Sequence, residues 1–435
     1  MRKFLLLLVL TLLTSCSKIN KNPPNSDQNR PDNINASPLI DNLSKLEGER
    51  RYFEMRDVLK SAPIDNNTEL LFYRAYVKCL FEETDSSIIL FDKFLSIVEN
   101  PANKNLTMLA YQLQGFNYFK NRNPRKSSEV LREYYSKYRE QINNNDRNKL
   151  VNNINIRTFE AWAQTSFSQK SSAFEMKLIN RDPTRIAVSL VLNGKEAEFI
   201  LDTGSEVNSI PQKYVKEFGI REFSDVLYSE MVTGNHKVHP GIADSLIIGN
   251  LVVKNAPFFV YADNALPLGN PKFIGTIGYP LMRHLGKILI NFKDMKILSA
   301  TKQLSPANQN MCNSGLGVII NAETNINSLY LFFDTGTYKT VLQNTIKTNE
   351  NHFQYTQVPD TVVDLNQNKF ISKKWIAPII NFNVSDKKFE LNNVPVTSKQ
   401  YSSNTGYMDG VIGVEALKQY NYVYIDFKNL IIEFE

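Results

Sequence analysis

Two stretches of sequence decide the fold of this 435-residue chain: AEFILDTGS at positions 197–205 and LYLFFDTGT at positions 329–337. Each begins with an apolar run that is typical of a buried β-strand, and each ends in Asp-Thr-Gly followed by a hydroxyl residue. The two aspartates, Asp202 and Asp334, are 132 positions apart. A single Asp-Thr-Gly triplet has little meaning, but two copies behind equivalent apolar runs indicate a repeat.

Further elements recur at nearly the same distance. The segment GTIG at 275–278 resembles GVIG at 410–413, and INFK at 290–293 resembles IDFK at 425–428. Both of these pairs are 135 positions apart. An internal duplication of a β domain of about 130 residues accounts for all of these similarities together.

The repeated pattern resembles the aspartic proteases: an apolar strand, Asp-Thr-Gly-Ser/Thr, and an apolar-apolar-Gly segment farther along. It is similar to the retroviral enzymes, in which two identical chains each supply one aspartate, and to the pepsin type, in which one chain supplies both. The resemblance therefore implies a single-chain enzyme of two compact, retropepsin-like lobes, at 181–305 and 306–435. We expect a duplicated all-β acid-protease barrel domain that needs no dimer to form its active site.

The resemblance implies that Asp202 and Asp334 form a catalytic pair. Two carboxylates held close together cannot both ionise, so one keeps a proton while the other acts as the base that activates a water. In the loops that carry them, the threonines are expected to lock the loops together. The glycines would let backbone N–H groups approach the carboxylates, and the next hydroxyls would bind the outer carboxylate oxygens. These supporting residues are Thr203, Gly204, Ser205, Thr335, Gly336 and Thr337. We expect no cofactor and no metal.

A flap should cover such a site and exclude water. The stretch YSEMVTGNHKVH at 228–239 predicts two strands around a Gly234-Asn235 turn, and Tyr228 is the candidate flap aromatic. An ordinary surface hairpin is the alternative interpretation. The corresponding stretch of the second lobe, at 364–374, is polar and shows no clear tip.

The region at 38–180 predicts a helical domain, so the whole chain is expected to be an α+β multidomain protein. Two parts of it are alike: LLFYRAY at 70–76 with SSIILFDKF at 86–94, and LAYQLQGF at 109–116 with SSEVLREYY at 127–135. Each part reads as a helix, a polar break and a second helix, which resembles tetratricopeptide-type (TPR-like) hairpins at a longer spacing. A solenoid that binds a peptide or protein partner and a generic helical bundle both stay open.

The N-terminus predicts export. Two basic residues precede an apolar run at 4–13, which is too short to span a bilayer and is typical of a secretory signal. The run leads into Leu-Thr-Ser-Cys, which resembles the lipobox of bacterial lipoproteins. This implies a signal peptide at 1–15 and lipid attachment to Cys16, although a cleaved signal without a lipid is the alternative. Residues 16–37 predict a disordered tether. The expected location is the bacterial cell envelope, lipid-anchored at the periplasmic side of the outer membrane.

Composition excludes several classes of function. Fifty Lys and Arg against 44 Asp and Glu leave a net charge of only +6, too dilute to predict a nucleic-acid partner. Three cysteines exclude a disulfide scaffold.

Two hypotheses about function follow from the motifs. The first is a membrane-tethered aspartic endopeptidase acting on a protein or peptide. The second is a non-catalytic peptide- or protein-binding lipoprotein that uses the helical hairpins and the lobes as a scaffold.

Overall fold

The computed structural model describes residues 38–62, 67–98, 104–231, 234–314, 317–325, 328–343, 356–363, 369–397 and 408–435. The chain divides into two compact units, a helical unit that ends at Ala161 and a β unit that begins at Trp162. The predicted order of a helical region followed by a β-rich region is confirmed. The expected signal peptide, the tether and Cys16 lie outside the described residues.

In the described part of the helical unit there are seven helices. They are α1 Pro38–Gly48, α2 Tyr52–Ser61, α3 Thr68–Leu80, α4 Thr84–Ile97, α5 Lys104–Lys120, α6 Pro124–Tyr138 and α7 Asn144–Ala163. Asparagines begin α3 and α6, because the side chains of Asn67 and Asn123 accept hydrogen bonds from the N–H groups of Leu70 and Lys126. None of the described helices is both long enough and apolar enough to cross a membrane.

The helices pack as two successive pairs, α3 with α4 and α5 with α6, which coincide with the two similar sequence parts. Phe72 of α3 contacts Phe91 and Phe94 of α4, with ring centroids 5.9 and 5.5 Å apart. The second pair is joined by Gln112, whose amide donates to the Tyr134 hydroxyl at 2.9 Å. The hairpin arrangement is therefore present, and the TPR-like assignment stays a prediction.

The first lobe contains twelve strands and two short helices among its described residues. They are β1 Ser166–Gln169, β2 Glu175–Lys177, β3 Ala187–Leu192, β4 Lys195–Asp202, β5 Ser209–Pro211, β6 Arg221–Glu222, β7 Leu227–Met231, β8 Gly234–Ile248, β9 Leu251–Tyr261, β10 Phe273–Gly278, β11 Lys287–Asn291 and β12 Lys296–Ser299, with α8 Gln212–Val215 and α9 Tyr279–Met282. Six of these strands pair in a closed ring, in the order β9, β5, β10, β4, β3, β8 and back to β9. The lobe is therefore a closed six-strand barrel.

The described part of the second lobe repeats this plan. Its elements are β13 Met311–Asn313, β14 Val318–Glu323, β15 Ser328–Phe333, β16 Val341–Gln343, β17 Thr356–Val363, β18 Lys369–Val384, β19 Lys387–Thr397, β20 Gly410–Ile412, β21 Tyr422–Asp426 and β22 Ile431–Phe434, with α10 Val414–Leu417. The ring here runs β14, β15, β20, β16, β19, β18 and back to β14. Each strand of this ring occupies the place of one strand in the first, so the duplication is present in the fold as well as in the sequence.

A shared sheet joins the two barrels, in the order β2, β12, β11, β21, β22. Strands β11 and β21 come from different lobes and run antiparallel, with Leu289 opposite Tyr424. These two residues are equivalent in the repeat, so an approximate two-fold axis passes between them. Ile288 pairs with Ile425 and Ile290 with Val423, as this symmetry requires.

The structure places the start of the β unit earlier than the sequence analysis did. We expected helical structure up to residue 180, whereas β1 and β2 already belong to the β unit. Strand β1 pairs with β9 and β2 pairs with β12. Both are short edge strands that depend on partners distant in sequence, so the local pattern gives them little signal.

Candidate active site

Each barrel presents one aspartate at the end of a central strand. Asp202 is the last residue of β4 and lies opposite Gly278 of β10 in a parallel pair. Asp334 follows β15 directly, and its N–H donates to the carbonyl of Ile412 in β20 at 3.1 Å. The predicted apolar-apolar-Gly segments therefore lie beside the aspartates in both lobes.

Two threonines lock the two loops to each other. The Thr203 hydroxyl donates to the carbonyl of Phe333 at 2.7 Å and accepts from the N–H of Thr335 at 3.0 Å. The Thr335 hydroxyl donates to the carbonyl of Leu201 and accepts from the N–H of Thr203, at the same two distances. Both threonines are buried, so all four bonds are shielded from water. The arrangement has the two-fold symmetry of the central sheet.

The glycines allow the carboxylates to approach. The N–H of Gly204 donates to Asp202 Oδ1 at 2.9 Å, and the N–H of Gly336 donates to Asp334 Oδ1 at 2.8 Å. A Cβ atom on Gly204 would lie 2.6 Å from Cγ of Asp334, and one on Gly336 would lie 2.4 Å from Cγ of Asp202. Any side chain at either position would therefore collide with the carboxylate of the other lobe.

The two carboxyls share one buried environment. Burial, followed by the charge of Asp334, raises the pKa of Asp202 well above its usual value. Burial also raises the pKa of Asp334, but the N–H of Gly336 and a hydrogen bond from Asp202 offset part of this effect. The pair therefore holds a proton more tightly than free carboxyls do.

The Ser205 hydroxyl does not bind the Asp202 carboxylate in the predicted way. The Ser205 hydroxyl donates to the carbonyl of Val207 at 2.9 Å, so its proton is not available to Asp202. The N–H of Thr337 donates to the main-chain carbonyl of Asp334 at 3.4 Å. The expectation that a hydroxyl binds the outer carboxylate oxygen is therefore corrected for Ser205, because the tight turn provides a nearer backbone partner, and it stays a prediction for Thr337.

Each lobe has a hairpin at the stretch that was considered for a flap, and its role as a flap stays a prediction. In the first lobe β7 pairs with β8 from Leu227–Val238 to Met231–Gly234, so Gly234 and Asn235 lie in β8 and not in the connection. In the second lobe β17 pairs with β18 from Thr356–Ile376 to Val363–Lys369. Part of the polar stretch at 364–374 lies outside the described residues, and the rest begins β18.

The flap candidate Tyr228 lies on the outer face of β7, with 44% of its surface exposed. Its neighbour Ser229 faces the opposite way and is buried, because successive side chains alternate along a strand. The Tyr261 hydroxyl of β9 donates to Ser229 Oγ at 2.5 Å. Burial raises the pKa of Tyr261 to about 12, and the Asp202 charge contributes to the increase. Tyr261 therefore connects the middle of this hairpin to the Asp202 side of the site.

The sequence analysis missed two residues beside the pair, Tyr261 and Arg185. Arg185 lies just before β3, and its Nη1 donates to the carbonyl of Gly336 at 2.5 Å. Neither residue belongs to a motif, so only the tertiary structure brings them to the site. The sequence offered one indication for Arg185. The equivalent position of the second copy is Gly317, so the arginine is a charged residue at which the two repeats differ. Within the described residues no cluster of three or more His, Cys, Asp or Glu side chains could hold a metal ion.

One comparison with known proteins bears on this site. A family model described as aspartyl protease matches residues 188–281, from β3 to α9, which include Asp202 and most of the first barrel. No curated protein matches the chain. The family match and the two closed six-strand barrels fit a protease fold of the pepsin or retropepsin type.

Proposed function

We propose that this protein is an aspartic endopeptidase that hydrolyses peptide bonds with a water activated between Asp202 and Asp334. One observation carries the proposal. Two buried carboxyls, one from each barrel, meet across loops that are hydrogen-bonded to each other through Thr203 and Thr335. A structural role alone does not account for two like charges brought together in a buried place, because this arrangement destabilises the fold.

One protonated and one ionised carboxyl supply the two functions that the reaction needs. In the proposed mechanism Asp334 is the ionised base, which takes a proton from the water as it attacks the peptide carbonyl. Asp202 keeps its proton and donates a hydrogen bond to the oxygen of that carbonyl, where negative charge develops. The water oxygen forms the new bond to carbon, the carbon–nitrogen bond of the peptide breaks, and the proton taken from the water reaches the leaving amine. No covalent intermediate with the protein is required.

Substitution of each aspartate tests this proposal. Wild-type protein should cleave an unfolded protein or a mixed peptide library at some pH in a series, and Asp202→Asn and Asp334→Asn should each abolish the cleavage. Asp244→Asn is the matched control, because Asp244 forms an exposed ion pair with Arg221 and should not affect activity. Equal inertness of wild type and both variants at every pH would contradict the proposal.

The alternative is a binding lipoprotein without turnover. An exposed apolar pair in the helical unit favours it: Ile89 and Ile97, two turns apart on α4, are 67% and 47% exposed. This alternative predicts that wild-type protein cleaves nothing but retains a peptide through this face. It also predicts that the double variant Ile89→Asp, Ile97→Asp no longer retains the peptide. Both results together would replace the endopeptidase function with a binding function.

We also propose that the protein is tethered to a membrane through a lipid on Cys16, at the periplasmic side of the outer membrane of a bacterium. The support is the sequence pattern of the first sixteen residues. Acyl chains contribute about 0.8 kcal/mol per buried methylene, so several chains would hold the protein firmly. Labelled palmitate should be incorporated into wild-type protein and not into Cys16→Ser, and the variant should appear in the soluble fraction.

A further inference from the structure

Arg185 crosses from the first lobe to the active-site loop of the second. Its Nη1 donates to the carbonyl of Gly336 at 2.5 Å, and its Nη2 lies 3.5 Å from the carbonyl of Pro267. Gly336 is also the residue whose N–H donates to Asp334 Oδ1 at 2.8 Å. A cation held on this loop favours negative charge on the carboxylate that the loop carries.

The second lobe has no equivalent of this cation. Ala187 pairs with Ile200 in the first barrel, and Ile319 pairs with Phe332 in the second, which fixes the repeat offset in these strands at 132 positions. Arg185 therefore corresponds to Gly317. A Cβ atom on Gly317 would lie only 3.2 Å from the carbonyl of Thr203, and its φ of +138° disfavours any side chain. Asp202 and Asp334 are related by the approximate two-fold symmetry of the lobes, but the cation beside them is not, so the electric field at the pair is asymmetric.

The charges around Arg185 are few among the described residues. Burial is the largest effect on the pKa of Asp202 and of Asp334 and raises both, while the guanidinium of Arg185 lowers both. Asp182 attracts Arg185, and Lys418 in turn acts on Asp182. Tyr261 interacts with Asp202. Arg185 is therefore the cation that acts on both members of the pair.

We propose that Arg185 is a positioning residue that makes the two aspartates unequal, by stabilising the ionised carboxylate on the Asp334 side and leaving the proton on Asp202. This inference rests on the proposed aspartic protease function, and it assigns the base and the acid within that function. The guanidinium acts on Asp334 from the carbonyl of Gly336, in the loop that carries this aspartate. The loop that carries Asp202 has no equivalent cation, because the position equivalent to Arg185 is Gly317.

The first test is the pH profile of kcat/KM for Arg185→Gln. The charge no longer favours the ionised base, so the acidic limb should move to higher pH. At a pH on that limb, kcat/KM should fall about tenfold, while its maximum changes much less. Arg185→Lys should restore much of the wild-type profile. Arg181→Gln is the control, since Arg181 forms a half-exposed ion pair with Glu198. An equal loss at every pH would show a merely structural role and overturn the inference.

A second readout does not depend on cleavage, so it judges the inference even if the proposed activity is absent. The denaturation midpoint should drop more for Arg185→Gln at neutral pH than at acidic pH, where both carboxyls are protonated. In the Asp334→Asn background this pH-dependent difference should vanish, whereas in the Asp202→Asn background it should persist. If the pH-dependent difference is lost in the Asp202→Asn background but persists in the Asp334→Asn background, Arg185 acts on Asp202 and the inference is overturned.

Discussion

At the scale of single residues, the aspartate pair reduces the stability of the fold. Burial raises the pKa of Asp202 and of Asp334 above the ordinary value of 3.8. The folded protein therefore binds protons more tightly than the unfolded chain in the range above that value. Stability from this source is greatest below the ordinary pKa and is lost as the pH rises toward the raised value.

Asp202→Asn should therefore stabilise the protein at neutral pH, by on the order of 1 kcal/mol, while it abolishes cleavage. The amide can donate a hydrogen bond to the Asp334 carboxylate, which replaces repulsion with attraction. The gain should shrink at acidic pH, where the wild-type pair is protonated. Denaturant unfolding at two pH values measures the difference, with Asp244→Asn as the control. A loss of stability at neutral pH would contradict this explanation.

The sequence predicted the site residues to different degrees. Asp202 and Asp334 stand in a repeated motif, so their proximity followed from the duplication alone. The role expected for the Ser205 hydroxyl did not follow, because a hydroxyl binds whichever partner the local turn brings nearest. Arg185 lies outside every motif, and its position beside Gly336 depends on how the two barrels meet.

At the scale of elements, the two loops depend on their shared threonine bonds. Thr335→Val keeps the shape of the side chain but leaves the carbonyl of Leu201 and the N–H of Thr203 buried without partners. We expect the free energy of unfolding of the β unit to fall by about 2–4 kcal/mol. Ser205→Ala is the control and should lower it by less than about 1 kcal/mol, because that hydroxyl bonds within its own turn and is partly exposed. Equal losses of stability in Thr335→Val and Ser205→Ala would contradict the conclusion that the threonine bonds hold the two loops together.

The hairpin of β7 and β8 should be positioned by the bond between Tyr261 and Ser229. Tyr261→Phe should lower kcat/KM by roughly threefold to tenfold, because the hairpin closes less accurately over the site. Ser229→Ala removes the same bond and should have the same effect. Tyr228→Phe is the control for an aromatic on the outer face. A larger effect for Tyr228→Phe than for Tyr261→Phe would restore Tyr228 as the flap aromatic.

Strands whose apolar residues are buried could be predicted from the hydrophobic pattern. Features that depend on how two strands pair were predicted less well. The apolar runs before Asp202 and Asp334 form central strands of the barrels, as expected. The predicted turn at Gly234-Asn235 lies two residues too far along the chain. The register of β7 and β8 places Met231 opposite Gly234, and the preference of a Gly-Asn pair for turns does not override it.

At the scale of the whole molecule, the chain has separate cores. One cluster of buried apolar side chains extends through both barrels and the shared sheet, from Met176 to Phe434. Another lies within the helical unit, around Leu131 and Tyr134. Two units with their own cores should be able to unfold independently.

A chain of residues 162–435 should therefore fold without the helical unit. We expect a cooperative thermal transition that matches one of two transitions in the longer protein, with the response to Asp202→Asn unchanged. Differential scanning calorimetry of both forms, with and without the substitution, measures this. A non-cooperative transition in the shorter form would show that the helical unit is needed for folding.

The sequence predicted the coarse organisation of the molecule better than its boundaries. The order of helical and β regions follows from hydrophobic periodicity, and the two barrels follow from repeated motifs. The predicted boundary at 180 was 19 residues late, since the β unit begins at Trp162 and its strands β1 and β2 acquire their structure only from β9 and β12. The TPR-like nature of the helical pairs stays a prediction, because helix pairs of many kinds share the same local pattern.

The contact of each aspartate with the glycine of the other loop means that neither lobe holds a site of its own. If the chain were cut between β12 and β13, it would become a split protein whose two fragments are inactive apart. They could reassociate through β11 and β21, with activity that depends on their concentration. The intact connection replaces that association with an effective concentration of roughly millimolar. Fused to two interacting proteins, the separated lobes would report on their encounter.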